Sequence, residues 1–175
     1  MSVSVSAAPE VETTVLPIQR LTAESFAPFG QVIAPAEDGI PFGPHEAQLE
    51  LSQGTPRFYI MKLRHRPLTF RQITRHCAVT QCLAAVGGTD WLIAVAPPGN
   101  VDDPDAEPTP DEIVAFRVPG DVAIKLHRGT WHAGPYFEPA ELGFFNLELA
   151  DTNIVDHDNC DLVTRYGITM TIGTP

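Results

Sequence analysis

Positive charge is scarce in this chain. Eleven lysines and arginines stand against 22 acids, a formal net charge of −11 with an isoelectric point near 4.8. No basic patch is available to release counterions from phosphate, which excludes nucleic acid as a partner. An acidic protein still holds a small anion where its few cations converge, and Lys125, Arg128 and Arg75 stand out for that reason. Long apolar runs are missing too. No stretch approaches the roughly 20 residues that cross a bilayer. Residues 1–8 lack the basic start and apolar run of an export signal, so the expected setting is cytoplasmic, with no membrane partner. Cysteines number three, with no metal-finger spacing, which argues against a disulfide framework. Cys77 and Cys82 sit in an apolar stretch and read as buried, reduced thiols. Repeats, low-complexity tracts and domain breaks are absent as well. The expectation is a loose N-terminal segment over residues 1–15, followed by a single domain over 16–175.

What the chain does have is punctuation. Seventeen prolines and thirteen glycines separate short β-forming runs at 31–34, 58–63, 68–76, 81–86, 91–96, 113–118, 121–127, 144–149 and 167–172. Strands of this length and spacing predict a mainly β sandwich or barrel with a few short helices. One helix is expected over 22–30, with Thr22 as N-cap and Gly30 ending the turn. Residues 35–56 should be largely loop, and 100–112 an acidic, proline-rich surface excursion.

Chemistry-bearing side chains gather in two segments. The first is Arg75-His76, followed by Gln81; the second runs from Lys125 to Tyr136 and holds His127, Arg128, Trp131 and His132. Side chains alternate along a strand. Lys125 and His127 should therefore point one way, and Ile124 and Leu126 the other. Thr74 and His76 share a face, and Gln81 joins them only if the chain turns between Cys77 and Thr80. A lysine and imidazoles on a barrel face are costly unless solvated, paired or bound to a ligand. Together they predict one polar pocket built from the two distant segments. Trp131 and Tyr136 read as pocket wall or core, and Trp91 as core. Asp151, Asn153, Asp156 and His157 read as turn chemistry, with the pocket rim as the alternative.

These motifs carry a resemblance. The run from Arg75 to Leu83, the run from Lys125 to Pro135, the stretch from Asn146 to Asn153 and the opening stretch from Glu24 to Ile33 are similar to motifs of the ureidoglycolate lyase family. The likeness extends from about Ile18 to about Met170. It implies a cupin-type double-stranded β-helix barrel, usually a homodimer, that releases urea from (S)-ureidoglycolate to give glyoxylate in allantoin and purine catabolism. Cupin metal ligands carry over in part. Thr74 stands where a first histidine would be, His76 matches the second, Gln81 takes the glutamate's position and His132 matches the last. A divalent ion such as nickel on His76, Gln81 and His132 is thus an open cofactor expectation, with two imidazoles and an amide as a weak set.

The implied reaction is collapse of a hemiaminal. A base removes the carbinol proton, the carbonyl forms, and the urea nitrogen leaves with help from an acid. On this reading Lys125, His132 and His76 are catalytic. Lys125 anchors the carboxylate, Arg75, His127 and Tyr136 help bind the substrate, and His132 or His76 transfers protons. Rival readings are a non-catalytic cupin that binds a small carboxylate, another metal-dependent cupin enzyme, and an amidohydrolase releasing ammonia from ureidoglycolate.

Overall fold

A computed structural model describes residues 11–173. Its strands, in chain order, are β1 (Glu12–Leu16), β2 (Ile18–Arg20), β3 (Gly30–Ile33), β4 (Pro56–Arg64), β5 (Thr69–Phe70), β6 (Gln72–Arg75) and β7 (Gln81–Ala85). They continue with β8 (Trp91–Ala96), β9 (Val114–Val118), β10 (Ala123–Leu126), β11 (Trp131–Tyr136), β12 (Glu141–Leu149), β13 (Asp158–Asp161) and β14 (Ile168–Ile172). Three short helices interrupt them: α1 (Ala23–Phe26), α2 (Thr152–Val155) and α3 (Leu162–Tyr166).

Two sheets form the body, in the orders β3-β10-β7-β12-β4 and β13-β6-β11-β8-β9-β2. From β6 to β12 the chain passes back and forth between them, and only β8 and β9 form a pair of successive strands within one sheet. Except for β2 on β9, the ladders of that body are antiparallel. This winding is the double-stranded β-helix that the family resemblance implied, within the mainly β barrel expected from the strand pattern. Parallel pairing is confined to β1 on β14 and β2 on β9.

Alternation along the strands decides what faces inward. On β8, Trp91, Ile93 and Val95 join Leu83, Phe116, Ile124, Leu126 and Phe144 in one apolar cluster between the sheets. Ala94 and Ala96 face the other way, into a second cluster with Ile73, Trp131, Leu16 and Met170, under a small β1-β14-β5 sheet. Helix α1 follows its sequence signals. Thr22 caps it by accepting the Ser25 N–H, and Ser25 accepts the Thr22 N–H in return, a reciprocal capping box.

The N-terminal expectation needs correction. Residues 12–15, expected in the loose segment, form β1 together with Leu16, because Leu16 is buried and the Thr13 hydroxyl meets that of Thr169 at 3.0 Å. Residues 1–10 lie outside the described residues.

Candidate active site

The apolar filling stops short of one end of the barrel, leaving a cavity of about 530 Å³ there. His76 and Thr74 reach it from the β6 side, Gln81 from β7, His132 and Tyr136 from β11, and Asn146 and Glu148 from β12. The chain crosses from one sheet to the other between His76 and Gln81, so Gln81 arrives on the inner face despite its opposite parity in sequence.

Both imidazoles are held by backbone. His76 Nδ1 lies 2.5 Å from the Asp156 carbonyl and His132 Nδ1 lies 3.1 Å from that of Thr130. Each Nδ1–H therefore donates, and each Nε2 is left as an acceptor. The rings stand 5.1 Å apart, with His157 5.5 Å from His76. Burial holds both rings neutral. It pushes His132 down to about 3, with His76 the next contributor, and it lowers His76 against the pull of the Asp156 carbonyl.

Behind them lies a polar lattice around Glu148, which is almost fully buried. Its carboxylate accepts from Tyr59 (3.1 Å), Gln81 (3.0 Å), Asn146 (3.1 Å) and Asn153 (3.1 Å). Gln81 Nε2 also donates to Asn146 Oδ1, which fixes the amide's orientation and leaves Gln81 Oε1 buried without a partner. A polar atom stranded in this way calls for something to fill it. Two imidazole acceptors oriented by carbonyls and one orphaned amide oxygen fit a divalent ion in donor type. Lacking an anionic member, the set would hold it weakly. Among the described residues no cluster of three or more His, Cys, Asp or Glu side chains is placed to hold a metal.

Of the residues singled out in the sequence, His76, Gln81, His132 and Tyr136 come together here. Lys125, His127 and Arg75 do not. The parity expected for β10 holds, but the pocket lies on the other side of the strand. Ile124 and Leu126 face the interior, while Lys125 and His127 line a separate cavity on the outside. Arg75 also points away from the pocket, opposite to His76. Its guanidinium is fully buried, bonded to Asp158 and to the carbonyls of Asn100 and Asp103, and stacked over Trp131 at 4.8 Å. It anchors the acidic 100–112 excursion to the barrel.

Several cavity residues went unassigned in the sequence. Asn146 and Glu148 were legible as the inward phase of β12, alternating with Phe145 and Leu147, but alternation alone does not mark them as site residues. Asn153 and His157 line the rim, the alternative reading of that turn. Arg66, from the connection after β4, had no signal in the sequence. It lines the cavity with no carboxylate within 4.0 Å among the described residues, donating to the Pro135 carbonyl at 3.3 Å, 5.0 Å from the Tyr136 ring.

Comparison with known proteins gives a consistent result. The family model described as ureidoglycolate lyase matches residues 13–165. A protein of Pseudomonas aeruginosa named ureidoglycolate lyase is 34% identical over 130 residues, covering 67% of this chain and 73% of that one. Counterparts of the same name in Pseudomonas entomophila and Azotobacter vinelandii are 33% and 28% identical over 67% of this chain, and 74% and 75% of their own lengths. Among solved structures, RmlC from Streptococcus suis aligns with 12% identity and a TM-score of 0.37, over 74% of this chain and 54% of that one.

Proposed function

The chain belongs to the ureidoglycolate lyase family, and from that premise we propose how its barrel cavity releases urea from (S)-ureidoglycolate to leave glyoxylate. The substrate carries a carboxylate and a carbinol carbon bonded to a urea nitrogen. Arg66 at the rim binds the carboxylate, since its charge is not neutralised by any described side chain. Tyr136, whose phenol burial pushes up to about 12, stays protonated and donates to the same end. A neutral imidazole Nε2, from His132 or His76, takes the carbinol proton. The oxygen's electron pair closes the carbonyl and the carbon–nitrogen bond breaks. The imidazolium then returns its proton to the departing urea nitrogen. No attacking water and no covalent intermediate are needed. Should a divalent ion bind, His76, His132 and Gln81 Oε1 would hold it, and it would polarise the carbinol oxygen.

The observation that carries this reading is the pair of carbonyl-anchored, neutral imidazoles 5.1 Å apart in one cavity. The test is incubation with (S)-ureidoglycolate, scoring urea against ammonia, with and without added nickel or another divalent ion. Urea and glyoxylate in equal amounts support the lyase. Ammonia in place of urea would assign an amidohydrolase, and no turnover would leave a carboxylate-binding module.

Two further points belong to the proposal. No helix among the described residues is long and apolar enough to cross a membrane, and we take the enzyme to work in the cytoplasm. The outer face of β4 and β12 exposes Phe58, Ile60 and Phe145, the two phenyl rings stacked at 6.0 Å. An apolar patch on an edge strand suits a second copy of the chain, giving a homodimer that light scattering would detect.

A further inference from the structure

A second cavity, of about 1320 Å³, lies outside β10 under the loop between β3 and β4. Gln31 fixes that loop, donating to the carbonyls of Pro44 and Glu46 and accepting from the Gln48 N–H. Facing the cavity is Lys125, with only 2% of its surface exposed. Its one hydrogen-bond partner among the described residues is His127 Nδ1, at 3.0 Å. His127 Nε2 sits 3.1 Å from the Ala27 carbonyl and must donate there, so Nδ1 is the acceptor.

No described side chain forms an ion pair with this lysine, although the Glu50 carboxylate acts on it from a distance. No carboxylate lies within 4.0 Å of it, and Glu50, on the same cavity wall, is paired with Arg128 at 3.2 Å. Cys82, opposite it in the β10–β7 ladder, is a thiol that burial pushes up to about 11, so it supplies no thiolate. A buried ammonium without a paired counter-ion carries a desolvation cost that favours loss of its proton. Burial accordingly lowers Lys125 from the ordinary lysine value. The result is an amine more readily deprotonated than an exposed lysine's, 3.0 Å from an imidazole nitrogen, in a cavity with room for a small molecule and away from the urea-releasing site.

We propose that Lys125 is the nucleophile of a second, carbonyl-reactive site that takes small aldehydes and 2-oxo acids as an imine. The amine nitrogen attacks the carbonyl carbon and a carbon–nitrogen bond forms. The proton released by nitrogen passes to His127 Nδ1 and on to the carbinolamine hydroxyl. Water leaves and the carbon–nitrogen double bond remains, with no change of oxidation state.

The sequence supplies its own control, because it holds two lysines. Lys62 is exposed and ion-paired with Glu141 at 2.7 Å. Incubating the full chain with glyoxylate and cyanoborohydride traps any imine as a carboxymethyl group, which peptide mapping locates. Lys125 is expected to label at least about tenfold faster than Lys62, reflecting its larger fraction of free amine. In Lys125→Arg, which keeps a cation but cannot form an imine, only the Lys62 background should remain. Equal labelling of both lysines, or unchanged total labelling in Lys125→Arg, overturns the proposal. Glyoxylate is chosen as the probe because it is the product under the proposed function, yet it is added directly. Labelling of Lys125 without urea release would thus sink the lyase reading alone, and urea release with Lys125 unlabelled would sink this one alone.

Discussion

At the scale of single residues, the site turns on which nitrogen each imidazole presents. Backbone carbonyls at Thr130 and Asp156 claim the Nδ1 atoms, so both Nε2 atoms enter the cavity as acceptors. His132→Ala removes one acceptor without touching the apolar clusters. Turnover should fall by a factor of about 10² to 10⁴, the usual weight of a proton-transfer group, while the circular dichroism spectrum stays unchanged; near-normal kinetics would move the chemistry elsewhere. The histidines, Gln81 and Tyr136 were legible in sequence because imidazoles and amides clustered in two motifs are rare. The side of β10 that carries the pocket was not. A lysine and a histidine on one face look like site residues until the opposite face, Ile124 and Leu126, is seen to fill the barrel interior.

At the scale of elements, the strand pattern could be read almost throughout the body. Alternation and Gly/Pro punctuation mark β7 to β10 and β14 within a residue or two, while the run at 68–76 merges β5 with β6 and the run at 144–149 begins three residues inside β12. β11 was hidden by Gly134 and Pro135, residues that weaken a strand signal. β1, β2 and β13 are short edge elements whose pairing comes from distant chain, which no local window contains. Gly30, read as a helix stop, has a second task. Any Cβ there would lie 1.9 Å from the Lys125 carbonyl oxygen, so β3 lies flush on β10 only with glycine. Gly30→Ala should destabilise the fold by about 1–3 kcal/mol, as overpacking does. Urea denaturation would measure it, and a stability equal to wild type would show that β3 yields freely.

For the molecule as a whole, buried imidazoles set the acid limit. His76, His132 and His127 all have values lowered by burial in the folded state. Unfolded histidines take up protons near 6.5, whereas the folded ones resist, so stability is complete above about 6.5 and declines as the pH falls below it. For His132 the decline continues toward about 3. Between pH 6.5 and 5 this histidine alone should remove about 2 kcal/mol. Denaturant midpoints recorded with a chelator present would show the loss, and a flat profile over that range would contradict the buried, neutral state.

One feature of the barrel mouth reaches further than the pocket. His76 is oriented by the main chain of Asp156, eighty positions downstream, and the Asp156 carboxylate clasps the N–H groups of Cys77 and Ala78. Just ahead of that clasp, Ile154 and Val155 are among the most exposed apolar side chains of the protein. A single proteolytic nick there would untie the imidazole while the apolar interior stayed folded, so the cavity would lose an oriented ring before the protein lost its shape.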